Sequence, residues 1–260
     1  MAALLKPLLK QIVVGAPYIF TPLELFSGGE QGAWYDPSDL ATLYQDSAGT
    51  TPVATDGDPV GLMLDKSGNG NHATQSSSDL KPIYRTDGTL HWLEFDGFDD
   101  TMLSLTTLPL QYGQTAIAGV SIPSTGDGST RAVFGLHSGT SYFGIHLRRD
   151  IVRPAATNRF SGGAPTIVAA GNASVATYLA VAARQNEVTV DAQTSYAGGA
   201  EQGSSIVQGS PEVVSLIPLE IVDPASSSPT DFYGGIFVDR FISESERSSS
   251  LGYINSLGGY

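Results

Sequence analysis

Residues 64–73 read Leu64-Asp65-Lys66-Ser67-Gly68-Asn69-Gly70-Asn71-His72-Ala73, and the fold class can be inferred outward from this stretch. Glycine and asparagine tolerate the positive φ angles of tight turns, and aspartate and serine side chains accept hydrogen bonds from nearby backbone amides. Asp56-Gly57-Asp58-Pro59 and Asp87-Gly88 repeat this turn chemistry. Turns at such close intervals favour short strands over long helices.

The segments between and after these turns are short and rich in β-forming residues. Several alternate apolar and polar side chains, as half-buried strands do; Val188, Val190 and Ala192 point one way while Thr189 and Asp191 point the other. These alternations predict an all-β, antiparallel, two-sheet sandwich. The predicted strands are Leu90–Phe95, Thr115–Ile122, Arg131–Leu136, Tyr142–Leu147, Tyr178–Ala183, Val188–Ala192, Val213–Val222 and Phe232–Phe241.

One short helix is predicted at the C-terminus. Ser243 and Glu246 have the spacing of a capping box, in which each side chain satisfies a backbone amide at the helix start. Leu251, Ile254 and Leu257 follow at helical spacing, and Gly258-Gly259 ends the pattern. Many strands with a single terminal helix predict a covered sandwich rather than a parallel α/β fold.

Composition narrows the classes of function. The chain of 260 residues has 30 glycines, 15 prolines, 15% charged residues and a formal net charge of −13. A nucleic-acid-binding protein needs a basic face, and anionic membranes repel an acidic surface, so neither partner is expected. The chain has no cysteine, which rules out disulfides, thiolate catalysis and cysteine-ligated zinc.

Residues 1–30 differ from the rest and are predicted to form an N-terminal arm, with the sandwich spanning residues 31–260. Leu4, Leu8 and Ile12 belong to an apolar, helically spaced pattern, and Lys6 and Lys10 interrupt it before it reaches the length of a signal peptide. We therefore expect a protein without cleavable export. Two alternatives stay open for the arm: it packs on its own domain, or it docks on a partner.

Four segments, in this order, resemble the laminin-G/concanavalin A-like jelly rolls, particularly those encoded by bacteriophages and bacteria. The first is Gly32–Asp39, the second is the turn-rich stretch from Leu64, the third is Leu93–Asp100, and the last is Asp239–Arg247 leading to Tyr253. The resemblance spans residues 32–258, although residues 102–230 match only as a strand pattern. It implies two packed antiparallel sheets, ligand sites in loops at one edge, and often a bound calcium ion.

The residues argue against catalysis. Glycoside hydrolases need two carboxylates flanking the bond that is cleaved, and the nearest candidates are Glu94 and Asp96 on one strand face. Gly97 breaks that strand, and no third in-phase glutamate follows. There is no Gly-x-Ser-x-Gly elbow and no Walker-type loop, and the four histidines, His72, His91, His137 and His146, are dispersed. The chain is therefore expected not to be an enzyme.

Two sets of residues are candidates for ligand binding. Calcium is bound by oxygens of carboxylates, amides and backbone carbonyls in turn-rich loops, and such oxygens are offered by Asp65, Asn69, Asn71, Asp96, Asp99 and Asp100. The alternative is that these side chains only satisfy turn backbones. A glycan needs an aromatic platform, for which the candidates are Trp34, Tyr35, Trp92 and Tyr142, although a tryptophan within an apolar strand is more often core.

The resemblance of Ala33–Leu40 to phage virion proteins implies a non-enzymatic structural or adhesion component of a bacteriophage tail, baseplate or head fibre. Its expected partners are other virion proteins, bound through residues 1–30, and host-surface glycans. It would be made in the host cytoplasm and located in the virion, and whether it forms a homo-oligomer stays open. The alternatives are a free-standing bacterial carbohydrate-binding module and a glycoside hydrolase.

Overall fold

The structure is a computed structural model. It describes residues 19–111, 113–123, 130–138, 141–148, 153–159, 166–169, 179–185, 189–196, 199–206, 216–224 and 229–259.

The described residues form 17 strands and one α-helix. In chain order they are β1 (Gly32–Tyr35), β2 (Leu43–Tyr44), β3 (Leu62–Met63), β4 (Ala73–Thr74), β5 (Ile83–Thr86), β6 (His91–Phe95), β7 (Met102–Pro109), β8 (Gln114–Ser121), β9 (Thr130–Ser138), β10 (Ser141–Arg148), β11 (Arg153–Arg159), β12 (Thr166–Ala169), β13 (Leu179–Gln185), β14 (Thr189–Tyr196), β15 (Gly199–Ile206), β16 (Leu216–Ile221), β17 (Thr230–Val238) and α1 (Glu244–Leu257).

These strands form two antiparallel sheets. Sheet I has the order β15-β14-β13-β8-β17-β6-β5, with β1 also paired to β17, and sheet II has the order β12-β11-β10-β9-β16-β7-β4-β3-β2. The all-β, two-sheet prediction with one C-terminal helix is confirmed.

The core lies between the two sheets and follows the alternation of their strands. In β6, Leu93 and Phe95 are fully buried, whereas Trp92 and Glu94 point outward. Phe134, Phe143 and other aromatic side chains fill the same layer. Each fully buried side chain of this size stabilises the fold by roughly 1.5–3 kcal/mol, so the register of each strand is strongly constrained.

The helix α1 covers part of the outer face of sheet I. Ser243 accepts a hydrogen bond from the Glu246 backbone amide while Glu246 reaches back to Ser243, as the capping-box pattern predicts. Leu251 and Ile254 are buried against a second apolar cluster that includes Ile117 and Ile236. α1 has neither the length nor the apolarity that crossing a bilayer requires.

The end of the segment 1–30 packs on this helix-covered face. A 3-10 helix, Pro22–Phe26, buries Leu25 and Phe26 in the second cluster. Arg240 joins the segment to the domain, because its guanidinium lies 3.1 Å from a Glu30 carboxylate oxygen and 2.6 Å from one of Glu246. Residues 22–26 therefore belong to the folded unit, and residues 1–18 lie outside the described residues.

The turn-rich loop that follows β3 completes the free edge of β1. β17 pairs with β1 on one side, and on the other side no strand is adjacent to β1 among the described residues. The buried Asp65 carboxylate instead accepts the Trp34 backbone amide at 2.9 Å, and the Lys66 backbone amide donates to the Trp34 carbonyl at 2.8 Å. The loop thereby satisfies backbone groups that would otherwise expose an edge.

Replacing Asp65 should destabilise the whole domain. In Asp65→Ala the buried amides of Trp34 and Asn71 lose their acceptor, and leaving buried donors unpaired costs about 1–3 kcal/mol each. We expect the urea midpoint to fall, by an amount corresponding to roughly 2–6 kcal/mol of unfolding free energy. Asp79→Ala, at an exposed position, is the matched control, and equal midpoints for both variants would contradict this role for Asp65.

Candidate functional site

Two of the four aromatic candidates lie in the packing around β1. Tyr35 is fully buried, and its hydroxyl donates to the Asn71 carbonyl. Trp34 is also buried, with its ring against Tyr253 and 4.6 Å from the Lys66 ammonium. Both rings are therefore packed within the domain, unlike the exposed platform that the sequence predicted for a glycan.

The six predicted calcium ligands divide into two separate groups. Both Asp65 oxygens accept hydrogen bonds, from the backbone amides of Trp34, Ser67 and Asn71 and from the Ser67 hydroxyl. The side-chain amides of Asn69 and Asn71 donate to the Gly32 carbonyl. In the structure these three side chains, Asp65, Asn69 and Asn71, hydrogen-bond to the backbone of the turn and of β1. This arrangement matches the alternative that they satisfy backbone groups and do not bind calcium.

The other three predicted ligands converge. Single carboxylate oxygens of Asp96, Asp99 and Asp100 lie within 4.8 Å of one another at the end of β6. Asp100 accepts the Asp96 amide at 2.8 Å, Asp96 accepts the Phe98 amide at 2.8 Å, and Gly97 adopts a positive φ of 84° that lets this turn close. The hydrogen bonds and backbone conformation of this turn therefore bring the carboxylates of Asp96, Asp99 and Asp100 close together.

Charge accumulates at this turn. Burial, together with the nearby carboxylates of Asp96, Asp99 and Glu94, raises the pKa of Asp100 to about 6. A bound cation would relieve that repulsion, and calcium accepts carboxylate, carbonyl and water oxygens. Three carboxylates provide part of the six to eight ligands that calcium takes, which leaves room for waters or ligand hydroxyls.

A pair of carboxylates continues this acidic surface. Glu94 and Asp231 are register partners across β6 and β17 and face outward. Burial and the neighbouring Glu94 raise the pKa of Asp231 to about 6, while the Ser121 hydroxyl donates to it at 3.1 Å. Arg85 donates to both oxygens of Glu94, at 3.2 and 3.3 Å. We call Glu94, Asp96, Asp99, Asp100 and Asp231 the acidic edge.

Aromatic side chains lie beside the acidic edge. The Phe98 ring, in the turn between Asp96 and Asp99, is 80% exposed. The predicted candidate Trp92 is half-buried and stacks on Tyr233 with ring centroids 5.7 Å apart. Tyr142 does not join them, because β10 belongs to sheet II. Phe98 and Asp231 were not among the residues predicted from the sequence, although an aromatic residue between two acids is a signal that points to Phe98.

No protein-family model and no curated protein matches the chain. Solved structures do share its fold. An arabinofuranosidase in complex with arabinofuranosyl-α-1,2-xylobiose has 14% identity and a TM-score of 0.58, covering 92% of this chain and 65% of its own. Trypanosoma rangeli sialidase has 13% identity and a TM-score of 0.54, covering 86% and 33%. The binding domain of Paraclostridial Mosquitocidal Protein 1 has 10% identity and a TM-score of 0.55, covering 73% and 49%.

The chain thus spans from one third to just under two thirds of the length of these structures. At such identities the likeness shows the fold alone. The prediction that the chain is not an enzyme is contradicted, because an arabinofuranosidase and a sialidase have this fold and the fold therefore does not exclude catalysis. None of these three structures is named as a virion protein.

Asp231 should make stability depend on pH. Its folded-state pKa lies above that of an unfolded aspartate, so its burial lowers stability progressively as pH rises from about 4 to about 6, and the loss persists above that. We expect Asp231→Asn to raise the Tm by a few degrees at pH 8 and to leave it unchanged at pH 3.5.

Thermal unfolding monitored by circular dichroism at the two pH values measures this difference. Asp79→Asn is the matched control, because it removes one exposed negative charge without relieving a buried carboxyl group. A Tm gain for Asp231→Asn that is the same at both pH values would contradict the explanation.

Proposed function

We propose that the chain binds carbohydrate at the acidic edge, with a calcium ion held by Asp96, Asp99 and Asp100. The observation that carries the proposal is the exposed Phe98 ring set between carboxylates whose oxygens converge. Carbohydrate sites combine an aromatic face, on which the apolar face of a sugar packs, with groups that bind hydroxyls. Two structures of similar fold are a sialidase and an arabinofuranosidase, which supports carbohydrate as the class of ligand.

The cation and the ring have separate tasks in this proposal. The three carboxylates hold the ion and leave part of its coordination to water or sugar hydroxyls. Phe98 contributes no polar atom, so its part is contact with the apolar face of the sugar. The half-buried Trp92, stacked on Tyr233, extends the aromatic surface along β6.

The calcium ion is tested first. We expect calorimetry to detect calcium binding to the wild-type domain and Asp100→Asn to weaken it at least tenfold, because the buried ligand is lost. Asp79→Asn should bind as the wild type does. Equal calcium affinity in Asp100→Asn and the wild type would contradict the assigned ligands.

The sugar contact is tested separately. We expect Phe98→Ala to weaken binding at least fivefold on an array of bacterial surface glycans probed with calcium present. The exposed ring contributes little to the core, so its removal should leave the Tm unchanged. Leu105→Ala removes another exposed apolar side chain and is the control. An array without calcium-dependent binding would overturn the proposal.

A second candidate, glycoside cleavage, is favoured by the cross-strand pair Glu94 and Asp231. Asp231, with a raised pKa, suits a proton donor, and Glu94, bound by Arg85, suits a carboxylate nucleophile or base. Directly opposed residues in antiparallel strands have Cβ atoms about 4.5–5.5 Å apart, close to the carboxyl separation of retaining enzymes.

If the pair cleaves glycosides, Glu94→Gln and Asp231→Asn should each lower the rate of aryl glycoside hydrolysis at least a thousandfold, while calcium binding persists. Calcium-independent glycan binding by the wild type without any hydrolysis would reject the cleavage hypothesis.

The resemblance of Ala33–Leu40 further supports the proposal that this domain works in a bacteriophage virion, attached through the part of residues 1–30 that precedes Pro22. Mass spectrometry of purified particles tests that setting. Particles without this polypeptide would favour a carbohydrate-binding module acting outside a virion.

A further inference from the structure

A groove lies between the 3-10 helix Pro22–Phe26 and the first turns of α1. Its volume is about 400 Å³. The side chains on one side are those of Phe20, Glu24 and Leu25, and those on the other side are Ser245, Glu246 and Ser249. We call it the N-terminal groove. It shares no residue with the acidic edge.

The N-terminal groove offers apolar contact rather than free charge. The Glu246 carboxylate is bound by Arg240 at 2.6 Å, and a carboxylate oxygen of Glu24 accepts the Thr21 backbone amide at 3.2 Å. On the other side Ser245 and Ser249 lie one turn apart on α1, so no bulky side chain closes the groove there. An apolar segment therefore fits it better than an ion does.

Exposed apolar side chains surround the point where the chain enters the groove. Ile19 is 82% exposed and Leu23 is 49% exposed, and the half-buried Phe20 follows Ile19 directly. Neighbouring exposed apolar side chains mark contact surfaces on folded proteins. This surface continues into the N-terminal groove, because Phe20 also lines the groove.

The segment that precedes this surface has a matching composition. Residues 1–18 lie outside the described residues, and their charged side chains are Lys6 and Lys10. They bring no carboxylate to a groove whose ionisable side chains are both glutamates. Residues 8–13 read Leu-Leu-Lys-Gln-Ile-Val. Because the segment is joined to the rim of the groove at Ile19, its effective concentration there is roughly millimolar.

We propose that residues 8–13 dock in the N-terminal groove of their own chain while the protein is free. Their apolar side chains cover Ile19, Phe20 and Leu23, and Gly15 and Pro17 provide the turn that brings them back. A partner that binds residues 1–18 has to displace them from the groove, so the contact is autoinhibitory for attachment. The inference does not depend on carbohydrate binding at the acidic edge.

Nuclear Overhauser effects (NOEs) between side chains test the contact in the full-length protein. We expect NOEs from the methyl groups of Ile12 or Val13 to the Phe20 ring or the Leu25 methyl groups. Ile12→Asp should weaken those made by Val13 at least fivefold, because a carboxylate does not enter an apolar contact. Gln11→Asp adds the same charge without removing an apolar side chain and should keep them.

A second pair of variants tests the groove rather than the segment. Ser249→Trp fills the N-terminal groove from α1 and should abolish these NOEs. Ser248→Trp, at the exposed neighbouring position, should leave them unchanged. Isotope-filtered spectra of mixed labelled and unlabelled protein show whether the contact lies within one chain. The proposal is overturned if the NOEs are absent from the wild type, if they arise only between two chains, or if Ser249→Trp retains them.

Discussion

The buried carboxylate of Asp65 is the interaction on which the arrangement of β1 depends. It accepts hydrogen bonds from backbone amides of Trp34, Ser67 and Asn71, and so joins a loop to a strand that precedes it by some thirty positions. With that edge satisfied, β1 can lie beside β17 without a further strand. The position of β1 in turn places Trp34 under Tyr253 of α1, which ties both ends of the domain together.

This dependence explains why the motif residues that carry the resemblance contribute to the fold. The motif residues around Trp34, Asp65 and Asn71 are rich in polar and aromatic groups, which also makes them look like binding residues. In the structure those groups are used internally: the Lys66 ammonium lies 2.9 Å from Asp36 and 4.6 Å from the Trp34 ring, and Tyr253 also donates to Asp36. The role of this turn-rich motif is therefore to hydrogen-bond the edge of β1.

Other polar and aromatic side chains lie on the outward faces of the two sheets. Strand alternation places Leu93 and Phe95 in the core and Trp92 and Glu94 outside, and the same rule places Tyr142 and His146 outside on β10. Neighbouring strands then bring in partners from distant parts of the chain, such as Asp231 beside Glu94 and Glu220 beside Gly135. Partial burial of these acids raises the pKa of Asp231 and of Glu220, a property that isolated strands would not have.

The sequence by itself determined the strand-and-turn character, the capped helix beginning after Ser243 and the local turn that gathers Asp96, Asp99 and Asp100, because each depends on residues within a few positions. Only the tertiary structure decided that Tyr35 is core, that Asp65 and Asn71 serve backbone groups, and that His137 meets Glu220. Those outcomes depend on strand register and on which sheet a strand joins. Both are set by packing between residues that are far apart in sequence, and no local pattern encodes them.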